Sequence, residues 1–194
     1  IVHIAEYGAL EKIVKEIPPK TETLANAFWP GPLTMIFEKS EIVPYETTGG
    51  LETVAVRMPS NLIAMELIRA GGGYISAPSA NTSGRPSPTK AEHVADDLNG
   101  KIEMILDGGS VEIGLESTIV DMTVEPPMIL RPGAITKEML EQEIGEVDVD
   151  RTILSADSHQ APKAPGMKYR HYAPKADLII VEGEPEEETK ATGL

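Results

Sequence analysis

Along the chain, stretches with apolar residues every third or fourth position alternate with stretches that are continuously apolar or alternate every second residue, which predicts an α/β protein. "YGALEKIVKEI" and "TETLANAF" have the helical period, and "PLTMIFEK" and "TVAVRMP" follow as strands. "NLIAMELIRAG" is a helix that stops at Gly71 to Gly73, and "YISAP" is a short strand. In "PTKAEHVADDL", Thr89 with Glu92 three residues later predicts a capping box opening a helix. "IEMILDGG", "STIVDMT" and "MILRPG" are then three strand candidates, and "TKEMLEQEIG" is a last helix with a glycine stop. Several strands succeed one another without helices, so the expected sheet is mixed rather than purely parallel. From Asp150 to Pro174, proline, glycine and alanine replace the period, as in a linker. "IVHIAE" reads as a strand already under way, and "ADLIIVEGEPEEETKATGL" as one strand with nothing to pair with, so a fragment is expected.

Composition narrows the class. With 41% hydrophobic but only 4% aromatic residues, the core must be built mainly of Ile, Leu, Val and Met. The absence of cysteine removes disulfides, thiolate metal sites and thiol nucleophiles, and fits a reducing, cytoplasmic setting. No apolar run approaches membrane-spanning length and no charged-then-apolar leader opens the chain, so no membrane partner is expected. A net charge of −14 argues against a general nucleic-acid coat protein, whose affinity comes largely from neutralised phosphates. The charge is nevertheless segregated: Ser158 to Ala176 contains Lys163, Lys168, Arg170 and Lys175 and no acidic residue, and five glutamates follow in "EGEPEEETK".

The densest candidate chemistry is "SAPSANTSGRPS", Ser76 to Ser87, with five hydroxyls and a carboxamide between a strand end and a helix start. By itself it reads as a surface loop, since Ser, Asn, Gly and Pro each favour turns. The alternative is an anion cradle of short hydroxyls and backbone N–H groups beside a helix N-terminus, where open α/β sheets bind ligands. Neither GxxxxGK[ST] nor GxGxxG occurs, nor HExxH, and His3, His93, His159 and His171 are scattered, which argues against a structural metal. With no GxSxG elbow, a serine triad has no support. Arg57 in "VAVRMP" and Arg131 in "ILRPGAI" are either strand-end charges reaching solvent or planar forks for an anion. Ser117 in "GLESTIVD" either satisfies nearby backbone or meets a ligand.

"SAPSANTSGRPSPT", "LESTIVD", "ILRPGAI", "WPGPLT", "VAVRMPS" and above all "APGMKYRHYAP" resemble the YrdC-type threonylcarbamoyl-AMP synthase family in its long form, over nearly all of residues 1 to 175. The resemblance implies a YrdC-like catalytic domain at 1–149 with a twisted open mixed sheet and flanking helices, a linker or lid at 150–175, and the start of a truncated second α/β domain at 176–194. It implies a nucleotidyltransferase that makes threonylcarbamoyl-AMP and pyrophosphate from L-threonine, bicarbonate and ATP with Mg²⁺, for a downstream transferase complex that modifies tRNA, with tRNA itself a candidate partner. Carried over residue by residue, Thr53, Ser79, Ser87, Arg131 and Tyr172 correspond to ATP contacts, and Arg57, Ala77 and Ser117 to threonine contacts. Ser79 and Asn81 form the SxN motif assigned to catalysis. The family's KxR motif would lie before residue 1, so the fragment alone is expected to be weakly active or inactive. An RNA-binding module, or a carbamoyl-adenylating domain of the hydrogenase-maturation type, is the alternative. The acidic balance and the lack of interleaved aromatics disfavour the first, and "APGMKYRHYAP" disfavours the second.

Overall fold

The structure, a computed structural model, describes residues 1–150. Its elements, in chain order, are β1 (Val2–Ile4), a 3-10 turn at Tyr7–Ala9, α1 (Leu10–Ile13), α2 (Lys20–Phe28), β2 (Leu33–Glu38), α3 (Tyr45–Thr48) and β3 (Thr53–Arg57). There follow α4 (Leu62–Ala70), β4 (Tyr74–Ser76), α5 (Ala91–Leu98), β5 (Thr118–Asp121), β6 (Met128–Arg131), α6 (Lys137–Ile144) and β7 (Asp148–Val149). The seven strands form one sheet in the order β4-β1-β3-β2-β5-β6-β7. Parallel pairs (β1 with β3, β2 with β5, β6 with β7) alternate with antiparallel ones, so the sheet is mixed, as its helix-free successions predict.

The period of two decides which side of the sheet is covered. Val2, Ile4, Met35, Phe37, Val54, Val56, Val120 and Ile129 point to one face and join Leu10, Leu24, Met65, Ile68 and Leu140 of the helices in the main core. The opposite face carries a small cluster of Ile36, Ile119 and Leu130 with Ala55 and Met128 against it. Strand register then places a transverse row on that second face: His3 opposite Arg57, Arg57 opposite Thr34, Thr34 opposite Ile119, and Ile119 opposite Arg131. Arg131 belongs to the row only because the β5–β6 ladder shifts between Ile119 and Val120, whose partners are Arg131 and Ile129. In an unbroken strand Arg131 would share the helix-covered face with Ile129. The extra residue, Leu130, turns it to the other side, a common use of a bulge.

Three expectations are corrected. The predicted helix over 7–17 is reduced to the 3-10 turn and α1, because Val14 becomes extended and bridges Lys39, and Pro18 and Pro19 prevent resumption. "IEMILDGG" is not a strand: among the described residues its backbone has no ladder partner, and Ile102, Met104 and Leu106 are exposed. The helix expected at Thr89 begins one residue later, with Lys90 as N-cap and no side-chain cap. Thr89 instead holds His93, its N–H and hydroxyl each 3.3 Å from Nδ1, so the capping box does not form. Two caps do form as helix chemistry favours, Asn61 accepting from Ala64 N–H and Thr136 from Met139 N–H.

Candidate functional site

A cleft of about 1010 Å³ opens at the end of the sheet where the row of His3, Arg57 and Arg131 emerges, and the Ser76–Thr89 loop and residues 108–117 wall it. Of the residues singled out from the sequence, Arg57, Ala77, Ser79, Asn81, Ser87, Ser117 and Arg131 all line it. Thr53 does not. It sits at the other end of β3, on the same face as Arg57 and about 13 Å away at the usual strand rise. Tyr172, the proposed lid at 150–175 and the segment 176–194 fall outside the described residues, apart from Asp150.

"WPGPLT" supplies the support for Arg57. Trp29 donates Nε1–H to Leu33 O at 2.7 Å, and Gly31 donates its N–H to Met58 O at 2.8 Å, which fixes the loop against the end of β3. Gly31 O then accepts from Arg57 Nε at 3.0 Å. A side chain at Gly31 would put a Cβ 2.4 Å from Phe28 O, so this approach requires glycine. One edge of the guanidinium is thereby anchored and its terminal fork is left to the cleft.

"LESTIVD" and "ILRPGAI" build the second cationic centre together. Arg131 donates through Nε to Ser117 O and through Nη2 to Ser117 Oγ, both at 3.0 Å. Ser117 Oγ lies 2.7 Å from Thr34 Oγ1, so a buried hydroxyl pair links the arginine to β2. The bland reading of Ser117 is therefore partly right: its hydroxyl satisfies neighbours, one of which is the guanidinium. Thr118 locks the turn beyond β6 by donating to Ile135 O at 2.7 Å and accepting from Ile135 N–H at 3.1 Å. Gly133 is the contact point. A Cβ there would lie 2.5 Å from Glu116 O and 2.6 Å from Thr118 N.

In the hydroxyl-rich loop, Asn81 Nδ2 donates to Thr82 O at 3.0 Å and Arg85 O at 3.1 Å. Both partners are carbonyls, so the amide nitrogen must face them and Oδ1 is what remains. Asn81 Oδ1 and Ser87 Oγ are buried without a hydrogen-bond partner among the described residues. The Asn81 amide thus serves to tie the loop together, its nitrogen spent on two loop carbonyls.

Electrostatics set the ligand's sign. Arg57 and Arg131 face one cleft from one side of the sheet, and burial, then the Arg131 charge, pushes the Arg57 guanidinium below its ordinary pKa. His3 is neutral there: burial first and the Arg57 cation second lower its imidazole to about 4, against the hydrogen bonds it donates to the backbone of Ile75 and Ile1. Arg57 is half-buried and repelled by the Arg131 cation, a cost that an anion in the cleft relieves. Three carboxylates also line the cleft: Glu46 and Glu112 are exposed and Glu116 is half-buried. His3 and Thr34 are the site residues that sequence reasoning missed. The legible signal at His3 was the one used for Arg57, a polar residue at an inner strand position.

The Sua5/YciO/YrdC family model, described as "Telomere recombination", matches residues 1–133. A model described as "Threonylcarbamoyl-AMP synthase, C-terminal domain" matches 135–193. That seam falls inside the described body, where Leu140 of α6 and Val147 are buried in the main core. The chain is 55% identical to a threonylcarbamoyl-AMP synthase of Pyrococcus abyssi over 183 residues, 94% of this chain and 54% of that protein. It is 52% identical to the Bacillus subtilis threonylcarbamoyl-AMP synthase over 187 residues, 96% and 54% of the two. The crystal structure of P. abyssi Sua5 complexed with L-threonine superimposes with a TM-score of 0.92 at 52% identity, over 98% of this chain and 56% of that one. The chain thus spans about half the length of the curated relatives it matches.

Proposed function

This chain belongs to the Sua5/YciO/YrdC family, and from that premise we propose that its cleft is the adenylation site of an L-threonylcarbamoyladenylate synthase, a nucleotidyltransferase of the cytoplasm. The observation that carries the reading is the pair of supported guanidiniums, Arg57 and Arg131, turned to one cleft by register and bulge. In the proposed reaction the amine of threonine adds to the carbon of bicarbonate, an N–C bond forms, one C–O bond breaks and its oxygen leaves as water with a proton from the amine, which gives a carbamate. A carbamate oxygen attacks the α-phosphorus of ATP, the α–β phosphoanhydride bond breaks, and pyrophosphate leaves with its electron pair.

The nucleophile is already an anion, so the protein's work is positioning and charge stabilisation rather than proton abstraction. The free fork of Arg57 matches the threonine carboxylate, the bidentate partner that a planar guanidinium prefers. Neutral His3 lies beside it without competing for that carboxylate. Ala77 and Ser117 line the same cleft. Arg131, with Ser79 and Ser87, faces the phosphates, and Asn81 lies among them. Thr53, outside the cleft, is an ATP candidate that this arrangement does not use. Tyr172 would add a contact from the segment beyond the described residues.

Mg²⁺ enters this reading with ATP. Among the described residues no group of three His, Cys, Asp or Glu is placed to hold a metal ion. In this reading the ion would be held mainly by the phosphates and water, and it would supply neutralisation of phosphate charge. The adenylate would pass to a transferase complex acting on tRNA. Among the described residues no helix is long and apolar enough to cross a membrane. The test is pyrophosphate release by protein that carries the flanking segments its relatives have. Release that needs both threonine and bicarbonate supports the reading, and equal release without threonine ends it.

A further inference from the structure

The hydroxyl-rich loop is held from behind by a carboxylate with no evident place on its own helix. Asp97 lies in the last turn of α5, where the helix dipole disfavours a negative charge, and α5 has no fully buried residue. Yet the Asp97 side chain is only 7% exposed. Its Oδ2 accepts the Thr82 N–H at 3.1 Å, and its Oδ1 pairs with Arg85 Nη1. Within the loop, Arg85 N–H donates to Thr82 O at 3.1 Å, and Gly84 takes a φ of 85° to close the turn. From the cleft side, Asn81 Nδ2 holds the carbonyls of the same two residues, Thr82 and Arg85. Thr82 and Arg85 are thus gripped on one side by Asn81 and on the other by Asp97.

We propose that Asp97 is a positioning residue for nucleotide binding: by fixing Thr82 and Arg85 from behind, it holds in one place the loop whose Ser79, Asn81 and Ser87 line the cleft. It also pairs with Arg85, itself a lining residue of the cleft, and so fixes that cation in place. The proposal rests on the adenylation reading for the identity of the ligand, but not for the coupling of Asp97 to the loop.

Asp97→Asn is nearly isosteric, and both groups facing the carboxylate are donors. An amide nitrogen therefore opposes one of them, and the variant loses a bond and the charge together. In protein carrying the relatives' flanking segments, Asp97→Asn is expected to raise amide exchange in residues 79–87 at least about tenfold, a factor corresponding to about 1.4 kcal/mol, with β2 and β3 amides unchanged. The apparent KM for ATP should rise by a similar factor while that for threonine stays within about threefold, a split that a general packing role does not produce. Unchanged exchange at 79–87, or a parallel rise of both KM values with a lowered Tm, overturns the proposal. If Asp97→Asn does not fold, Arg85→Ala keeps the Thr82–Asp97 bond, and its failure to show the ATP-selective rise overturns it equally. Pyrophosphate release by the unsubstituted protein that ignores threonine would sink the functional reading alone, with the exchange measurement still deciding the role of Asp97.

Discussion

Replacing Gly133 by alanine tests whether the Arg131 centre depends on the close approach of the turn after β6 to the start of β5. The φ of Gly133 is not left-handed, so the perturbation is one of space: the new Cβ meets Glu116 O at 2.5 Å, Thr118 N at 2.6 Å and Thr118 Oγ1 at 2.8 Å. Two of the three are backbone atoms of a buried strand start and cannot swing away, so the turn must move. Overpacking of this kind costs about 1–3 kcal/mol, and losing one of the two Thr118–Ile135 hydrogen bonds adds about 1. A destabilisation of about 2–4 kcal/mol should lower the urea midpoint by about 1 M or more at ordinary denaturant slopes. Gly8→Ala is the control, since a Cβ there meets nothing within 4 Å and its φ is unexceptional, so it should be neutral or slightly stabilising. Displacing the turn also breaks the paired contacts of Arg131 with Ser117, so the apparent KM for ATP should rise about tenfold or more. Equal urea midpoints for the two variants, with ATP affinity retained, would refute the argument that the approach at Gly133 holds Arg131 in place.

Arg57→Lys keeps a charge but loses both the Nε–H donated to Gly31 O and the planar fork. Apparent threonine affinity should fall about ten- to a hundredfold by calorimetry with ATP affinity little changed, and the reverse pattern would move Arg57 to the nucleotide. His3, lowered to about 4 from 6.5, binds a proton more readily in the unfolded chain. Its contribution to stability is therefore complete above about pH 6.5, is lost as pH falls toward 4, and amounts to about 3 kcal/mol at most. Urea melts of the wild type and His3→Gln between pH 4 and 7 should differ in that slope, and identical slopes would mean that His3 titrates normally.

The residues that were legible and those that were not differ in a physical way. β2, β3, α2, α4 and α6 carry a full apolar period, and their boundaries follow from caps and turn residues visible in the sequence. α3 and β7 have four and two residues, too short to carry any period. Alternation at Ile102, Met104 and Leu106 is compatible with a strand but does not create one, because a ladder needs a neighbour that the sequence cannot specify locally. Arg57 and Arg131 stood out as charges in apolar strands. Their presence on one face did not, because it depends on register across four strands and on the extra residue at Leu130. In the sequence His3 is one of four scattered histidines without metal-ligand spacing, whereas its place beside Arg57 is a matter of parallel pairing. The donor-rich loop was recognised by composition, but the Asn81 amide as a tie within it appears only once its partners are placed.

The most direct measurement follows the carbamate oxygen to phosphorus. Protein carrying the relatives' flanking segments is supplied with ATP, threonine and bicarbonate labelled with ¹³C and ¹⁸O, and the products are resolved by mass spectrometry before the label exchanges. The account predicts a threonine-containing adenylate whose carbamoyl carbon carries ¹³C and whose bridge to phosphorus carries ¹⁸O, formed with one pyrophosphate and no ADP. Formation of ADP and labelled inorganic phosphate would place the attack at the terminal phosphate and contradict it.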